Sequence, residues 1–155
     1  GISSAVAAPA YAGIPVTQRG MATSFTVVTG HDCSESSGTD WATLAKLPTL
    51  VVLMGVGNIE QIAARLIAAG RSTDTPVVAV RWGTTGEQQV VRATLGTIAF
   101  SLRVAKLGSP AVIVIGDVAA LHDELAWFAP PTEQRQQEAL SWPLYPVPEQ
   151  LPAHD

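Results

Sequence analysis

Four short apolar runs constrain this chain more than any other feature: SFTVVTG (24–30), TLVVLMG (49–55), PVVAVRWG (76–83) and PAVIVIG (110–116). Each is rich in β-branched residues, and each ends in glycine. Their hydrophobicity is continuous rather than alternating. A strand with one wet face alternates, so continuous runs predict strands buried on both faces. A fifth run, QQVVRATL (88–95), alternates better and predicts an edge or antiparallel strand.

Helical patterns lie between these runs. Asn58 stands where a cap belongs for IEQIAARLIAA, with Gln61 at the capping-box position and Gly70 just past the end. Ile59, Ile62, Ala63, Leu66 and Ile67 share one face of that helix. Further helices are predicted over 95–106, over 117–128 with Val118, Leu121 and Leu125 facing the core, and over about 2–12 as a small-residue helix ending before Pro15. HDCSESSGTD (31–40) reads as a mobile polar loop, and 129–155 as a Pro/Gln-rich disordered tail. Alternating strands and helices place the chain in the α/β class, as a mixed, mostly parallel sheet flanked by helices. Ligands of such sheets bind at the carboxyl ends of the strands, which here carry Gly30, Gly55, Gly83 and Gly116.

Size and charge narrow the function. A length of 155 residues suits one domain. The net charge of -4 makes no electrostatic case for nucleic acid. No apolar stretch reaches membrane-spanning length, and the N-terminal run lacks the basic start of a signal peptide. A single cysteine, Cys33, makes neither an internal disulfide nor a cysteine-based metal site and suits a reducing cytosol.

Few residues offer chemistry. His31, His122 and His154 lack metal-ligand spacing, and no metal site is expected. His122 and His154 read as solvated, as do Asp32 and Glu35, whereas His31 follows a strand end. No Ser-His-Asp spacing and no P-loop stand out. What remains is a set of strand-end groups: Thr17, Arg19, Met54, Arg81, Gly83, Thr84 and Thr85. Such a set binds a ligand but supplies neither a general base nor a nucleophile.

Longer segments carry a resemblance. GISSAVAAPAYAGIPVTQRGMATSFTVVTGH, TLVVLMGVGNI, PVVAVRWGTTGEQQVVRATLGTIA and SPAVIVIGDVAALHDELAWF, in that order, resemble the C-terminal half of the uroporphyrinogen-III C-methyltransferases, within the tetrapyrrole methylase family. The resemblance covers 1–128 and implies two α/β domains with the active site in the cleft between them. It implies transfer of two methyl groups from S-adenosyl-L-methionine to ring carbons of uroporphyrinogen III. The product would be precorrin-2, which leads to sirohaem and cobalamin. GISSA resembles the motif that opens the family's C-terminal domain, so the chain is expected to be a fragment, inactive alone, with an N-terminal domain upstream. An apolar patch at Ile2, Val6 and Ala7 is then expected where that domain would pack.

The resemblance also implies site residues. Ser3, Ser4, Met54 and Gly83 match cofactor-contacting positions, with Met54 against the adenosine and the Gly83 backbone beside the cofactor. Met54 taken alone would read as core packing. Arg19 and Arg81 are the cations for a substrate with eight carboxylates. Gln18 departs from the family, which usually has His there. The family's acid and base groups belong to the other half, so no catalytic residue is assigned. A cytoplasmic homodimer is implied. The alternatives are a precorrin methyltransferase acting at a different ring position, and a non-catalytic ligand-binding or dimerisation module.

Overall fold

The computed structural model describes residues 1–31 and 38–129. The readings of Asp32, Cys33 and Glu35, most of the 31–40 loop, His154 and the tail from 130 onward lie outside the described residues.

All five predicted strands form: β1 (Phe25–Thr29), β2 (Thr49–Leu53), β3 (Pro76–Arg81), β4 (Gln89–Thr94) and β5 (Ala111–Ile115). They make one sheet in the order β1-β2-β5-β3-β4. Burial on both faces holds for the central strands, where Leu50, Val51, Val52, Val77 through Val80 and Val112 through Ile115 are all inaccessible. Side chains alternate across the sheet, so each strand feeds two cores. Leu50, Val52, Val77, Ala79, Ile113 and Ile115 pack on one face against the helices α2 (Trp41–Leu44), α3 (Ile59–Ala68) and α4 (Ile98–Val104). Val51, Val78, Val80, Val112 and Val114 pack on the other, against α1 (Ser4–Tyr11) and the 3₁₀ turn Asp117–Leu121.

The sheet is mixed, but it is not mostly parallel. Only β1 and β2 pair in parallel, whereas β2–β5, β5–β3 and β3–β4 are antiparallel. Continuous hydrophobicity reports burial on both faces and is silent on direction. The seven residues Trp82–Gln88 between β3 and β4 are too few for a crossover, so β3 and β4 form a hairpin and β4 takes the predicted antiparallel edge. Because β2 and β3 both oppose β5, they point the same way, as does β1. The carboxyl ends of β1, β2 and β3 therefore share one edge, where Gly30, Gly55 and Gly83 lie. Gly116 follows β5 at the opposite edge, where an added Cβ would sit 2.3 Å from the Pro48 carbonyl oxygen.

Two helix predictions need correction. The 117–128 segment is a 3₁₀ turn followed by the single-turn helix α5 (His122–Leu125), and Leu125 is exposed. The segment instead closes the C-terminal end of α1: Trp127 Nε1 donates to the Ala10 carbonyl at 2.9 Å, and His122 Nδ1 contacts the Ala12 carbonyl. Tyr11, Trp127 and Phe128 form an aromatic cluster there, with centroids 5.0–5.7 Å apart. His122 is thus half-buried rather than solvated. The second correction concerns Asn58, which makes no cap hydrogen bond to α3.

The edge opposite Gly30, Gly55 and Gly83 is closed by Arg71. Its guanidinium donates to the carbonyls of Leu47, Pro48 and Ile115 at 3.0, 3.2 and 3.3 Å. Burial pulls its pKa below the ordinary arginine value, and Asp117 opposes that shift. Arg71→Met leaves these carbonyls without their donor. We expect a loss of at least about 2 kcal/mol of unfolding free energy in a urea titration, since hydrogen bonds to charged groups contribute about 1.5–3 kcal/mol each. Arg71→Lys should restore only part of it, because one ammonium cannot span three carbonyls.

Candidate functional site

The shared edge of β1, β2 and β3 opens into a cleft of about 830 Å³. Its floor is Leu53, Val80 and Val112, the last residues of the α1-facing rows of β2, β3 and β5. Ser4 and Ala8 of α1 close one side. Ser109, Pro110 and Ala111, the lead-in to β5, run between the ends of β2 and β3. Met54 with His31, Gly57 and Asn58 forms one wall, and Trp82 with Gly83 forms the other.

The two walls are built alike. Met54 has a φ of 54° and Trp82 a φ of 48°, both in the left-handed region. Bulky residues rarely adopt it, and each such residue costs about 1–3 kcal/mol. The turn that carries this strain ends the strand sharply and lifts a large side chain to the rim. Met54 is 64% exposed although the first four residues of the strand it follows are buried. Behind Met54, Gly30 and Gly55 pack backbone to backbone: a Cβ on Gly30 would lie 2.6 Å from the Gly55 Cα. Gly30 N–H donates to the Leu53 carbonyl at 2.7 Å, and Asn58 Nδ2 donates to the carbonyls of Gly30 and His31, each at 2.8 Å.

The cleft gathers three of the six site residues that the resemblance implied: Ser4, Met54 and Gly83. Ser3 is not on its lining, and its Oγ accepts from the Ala5 N–H at 3.3 Å as the cap of α1. Arg19 sits exposed in the tight Gln18–Ala22 turn, away from the lining. Arg81 is also off the lining. Its guanidinium carbon lies 3.8 Å from the Trp82 ring centroid, and its Nε is buried without a partner. Gly83 answers first to packing, because a Cβ there would meet the Ala8 Cβ at 2.6 Å. The sequence reading missed Trp82, Asn58, Ser109 and Pro110. An aromatic residue directly before a strand-end glycine was the available signal for Trp82. Asn58 was hidden by its resemblance to an ordinary cap. Ile2 and Val6 are 80% and 41% exposed, as expected for the apolar patch, while Ala7 is half-buried.

Comparison with known proteins decides the family. The sequence profile of the Tetrapyrrole (Corrin/Porphyrin) Methylases matches residues 1–99. This chain belongs to the tetrapyrrole methylases. It is 47% identical over 128 residues to the S-adenosyl-L-methionine-dependent uroporphyrinogen III methyltransferase of Methanosarcina barkeri, covering 81% of this chain and 50% of that protein. It is 44% identical over 131 residues to a uroporphyrinogen-III C-methyltransferase of Bacillus subtilis, covering 83% of this chain and 27% of that protein. Among solved structures it is similar to the uroporphyrin-III C-methyltransferase of Thermus thermophilus complexed with S-adenosylhomocysteine. There the TM-score is 0.63 at 34% identity, over 78% of this chain and 52% of that one. A cobalt precorrin-4 methyltransferase, at 24% identity and a TM-score of 0.68, shares the fold. This tetrapyrrole methylase chain spans about half of the length of most of these relatives, and about a quarter of the Bacillus subtilis protein.

The contact between Gly83 and Ala8 sets how α1 seats on the methylase sheet. Gly83→Ala should destabilise by about 1–3 kcal/mol, the usual cost of overpacking. Ala8→Gly should cost about 1 kcal/mol through helix propensity. The double variant should be more stable than the sum of the two, and a double-mutant cycle by thermal or urea unfolding measures that coupling.

Proposed function

We propose that residues 1–128 form the C-terminal half of an S-adenosyl-L-methionine-dependent uroporphyrinogen-III C-methyltransferase, and that the cleft is one wall of its active site. The carrying observation is an apolar-floored cleft that joins Ser4, Met54 and Gly83 at one sheet edge, in a chain whose relatives bear that name. The product would be precorrin-2, on the route to sirohaem and cobalamin. The resemblance further supports a cytoplasmic homodimer.

The residues present fit the methyl donor. Ligand pockets run to roughly 300–1,000 Å³ and are mostly apolar with a few polar groups. Here Leu53, Val80 and Val112 offer an apolar floor, Met54 a pliable wall and Trp82 a flat face. Ser4, Asn58 and the strand-end backbone offer the polar groups. When bound, the donor supplies an electrophilic methyl group on sulfur. The chain's own part is to hold the reactants in line and to keep water off the floor, and such positioning supplies up to about 7–11 kcal/mol of a barrier. No described lining residue of this wall is an evident proton acceptor, apart from His31. Arg81, half-buried and stacked on Trp82, is the cation best placed for an acidic substrate, while Ser3 acts through its cap on α1 and Arg19 stands off the lining.

Calorimetric titration with S-adenosylhomocysteine tests the reading. Binding is expected, and Met54→Ala should weaken it about tenfold, as loss of most of one side chain's apolar contact does. Met54→Leu should retain most of it. Failure of the wild-type chain to bind overturns the assignment. The 155-residue chain is expected not to turn over uroporphyrinogen III, and turnover would show that this wall suffices.

A further inference from the structure

We propose that residues 142–148 of this chain dock in a second apolar groove, the one that α1 forms with Leu125 and Trp127. The groove has a volume of about 450 Å³ and is lined by Val6 and Ala10 of α1, Pro15 and Val16 after it, and Leu125 and Trp127. No charged residue lines it. Ser4 and Ala8 of the same helix line the cleft, so the groove occupies a different flank of α1.

Trp127 makes this groove a preformed one. Its Nε1 donates to the Ala10 carbonyl at 2.9 Å, and its ring is held against Tyr11 and Phe128, with centroids 5.1 and 5.7 Å away. The single polar atom of the indole is thus spent within the chain, yet the residue is 64% exposed. What it offers outward is hydrocarbon. Val6 and Leu125 are also exposed, at 41% and 47%. A fixed aromatic ring in an apolar groove is the surface on which proline-rich, polyproline II segments dock.

The sequence that follows supplies such a segment. The described residues end at Ala129, two positions after Trp127. Next come PPTEQRQQE (130–138), whose composition suits a solvated linker, and then WPLYPVP (142–148). The second stretch has three prolines and no charged residue, so it lacks the polarity that keeps a tail in water. Polyproline II has three residues per turn. In that form Trp142 and Tyr145 share one edge, Pro143 and Pro146 a second, and Leu144 and Val147 a third. Every edge carries apolar surface, and the prolines have already restricted the backbone, which lowers the entropy lost on docking. Residues 130–141 reach up to about 37 Å at about 3.1 Å per residue, enough to turn back onto a groove that begins at Trp127. A tether this short holds the segment at an effective concentration in the millimolar range, so a weak contact suffices. The proposal narrows the disordered reading of 129–155 to its polar parts.

Paramagnetic relaxation in the full 155-residue chain tests this docking. A nitroxide is attached at Gln150→Cys in a Cys33→Ser background, and NMR reads the N–H intensities. The amides of Val6, Gly13, Val16 and Leu125 and the Trp127 indole N–H should lose most of their intensity. Those of Ile62 and Ala99, which pack on the opposite face of the sheet, should keep theirs. Trp142→Ser combined with Tyr145→Ser should restore the groove signals with the rest of the spectrum unchanged. Leu125→Glu should restore them from the groove side. Groove signals that keep their intensity in the labelled chain overturn the proposal, as does a loss that survives either variant. Spin-labelled chain mixed with isotope-labelled chain that lacks the nitroxide should show no loss. A loss in that mixture assigns the groove to the segment of a second copy and overturns docking within one chain. No cleft residue enters these measurements, so their failure is distinct from failure of the methylase reading.

Discussion

Burial of β2, β5 and β3 on both faces is the constraint from which the rest follows. Two cores consume nearly all the side chains these strands present, leaving only the row ends Leu53, Val80 and Val112 open to a ligand. Whatever the sheet binds must be met at its edge, by those row ends and the residues that follow the strands. The antiparallel insertion of β5 then selects the edge. It aligns the ends of β1, β2 and β3 on one side and gives that side an irregular lead-in, Ser109–Ala111, between two strand ends. The opposite side receives Arg71, whose one guanidinium donates to three carbonyls.

The glycines at the binding edge serve the packing that makes the edge possible. Gly30 and Gly55 let two strand ends touch, and Gly83 lets α1 come down on β3. The residue before each of the last two glycines absorbs the strain of the turn. Met54 and Trp82 both take left-handed backbone that a glycine would adopt more easily. Strain of this kind persists only where the surroundings over-determine it, and it concentrates at ligand sites. The benefit at this edge is a large side chain on each rim, standing above a floor of aliphatic residues. A sharp turn made by glycine alone would have left both rims bare.

Much of this was legible because β-branched runs report burial directly. The five strands and α3 came from Val, Ile and Leu spacing, and each lies within a residue or two of where that spacing put it. Direction was not legible, since Val51 and Val114 are equally buried whichever way β5 runs. The site was partly legible. Met54 and Gly83 stood at strand ends and in segments resembling a family, whereas Trp82 and Asn58 act through a left-handed φ and a contact 27–28 residues away. The first leaves only the faint trace of an aromatic before a strand-end glycine, and the second leaves none that differs from an ordinary cap. Leu125 misled for a related reason. Helical spacing placed it in a core, but Trp127 and His122 bind the carbonyls that end α1, and this contact fixes the segment with Leu125 outward.

The helix α1 links the packing of the sheet to the cleft. Its small residues Ala5, Ala8 and Ala12 sit on the sheet, close enough that Gly83 cannot carry a Cβ. Its first residue, Ser4, reaches the cleft, while Ile2 and Val6 stand exposed beside it. A helix that spends its small side chains on the sheet has its larger ones left for something else. Isolated apolar side chains on a surface need no explanation, but these adjoin a cleft whose own Met54 is equally uncovered. In longer relatives, of which this chain covers half or less, more chain is available to meet such a surface. An edge whose two walls each carry a strained residue, closed on one side by a helix with exposed apolar side chains, is the surface on which the proposed methylase reading rests.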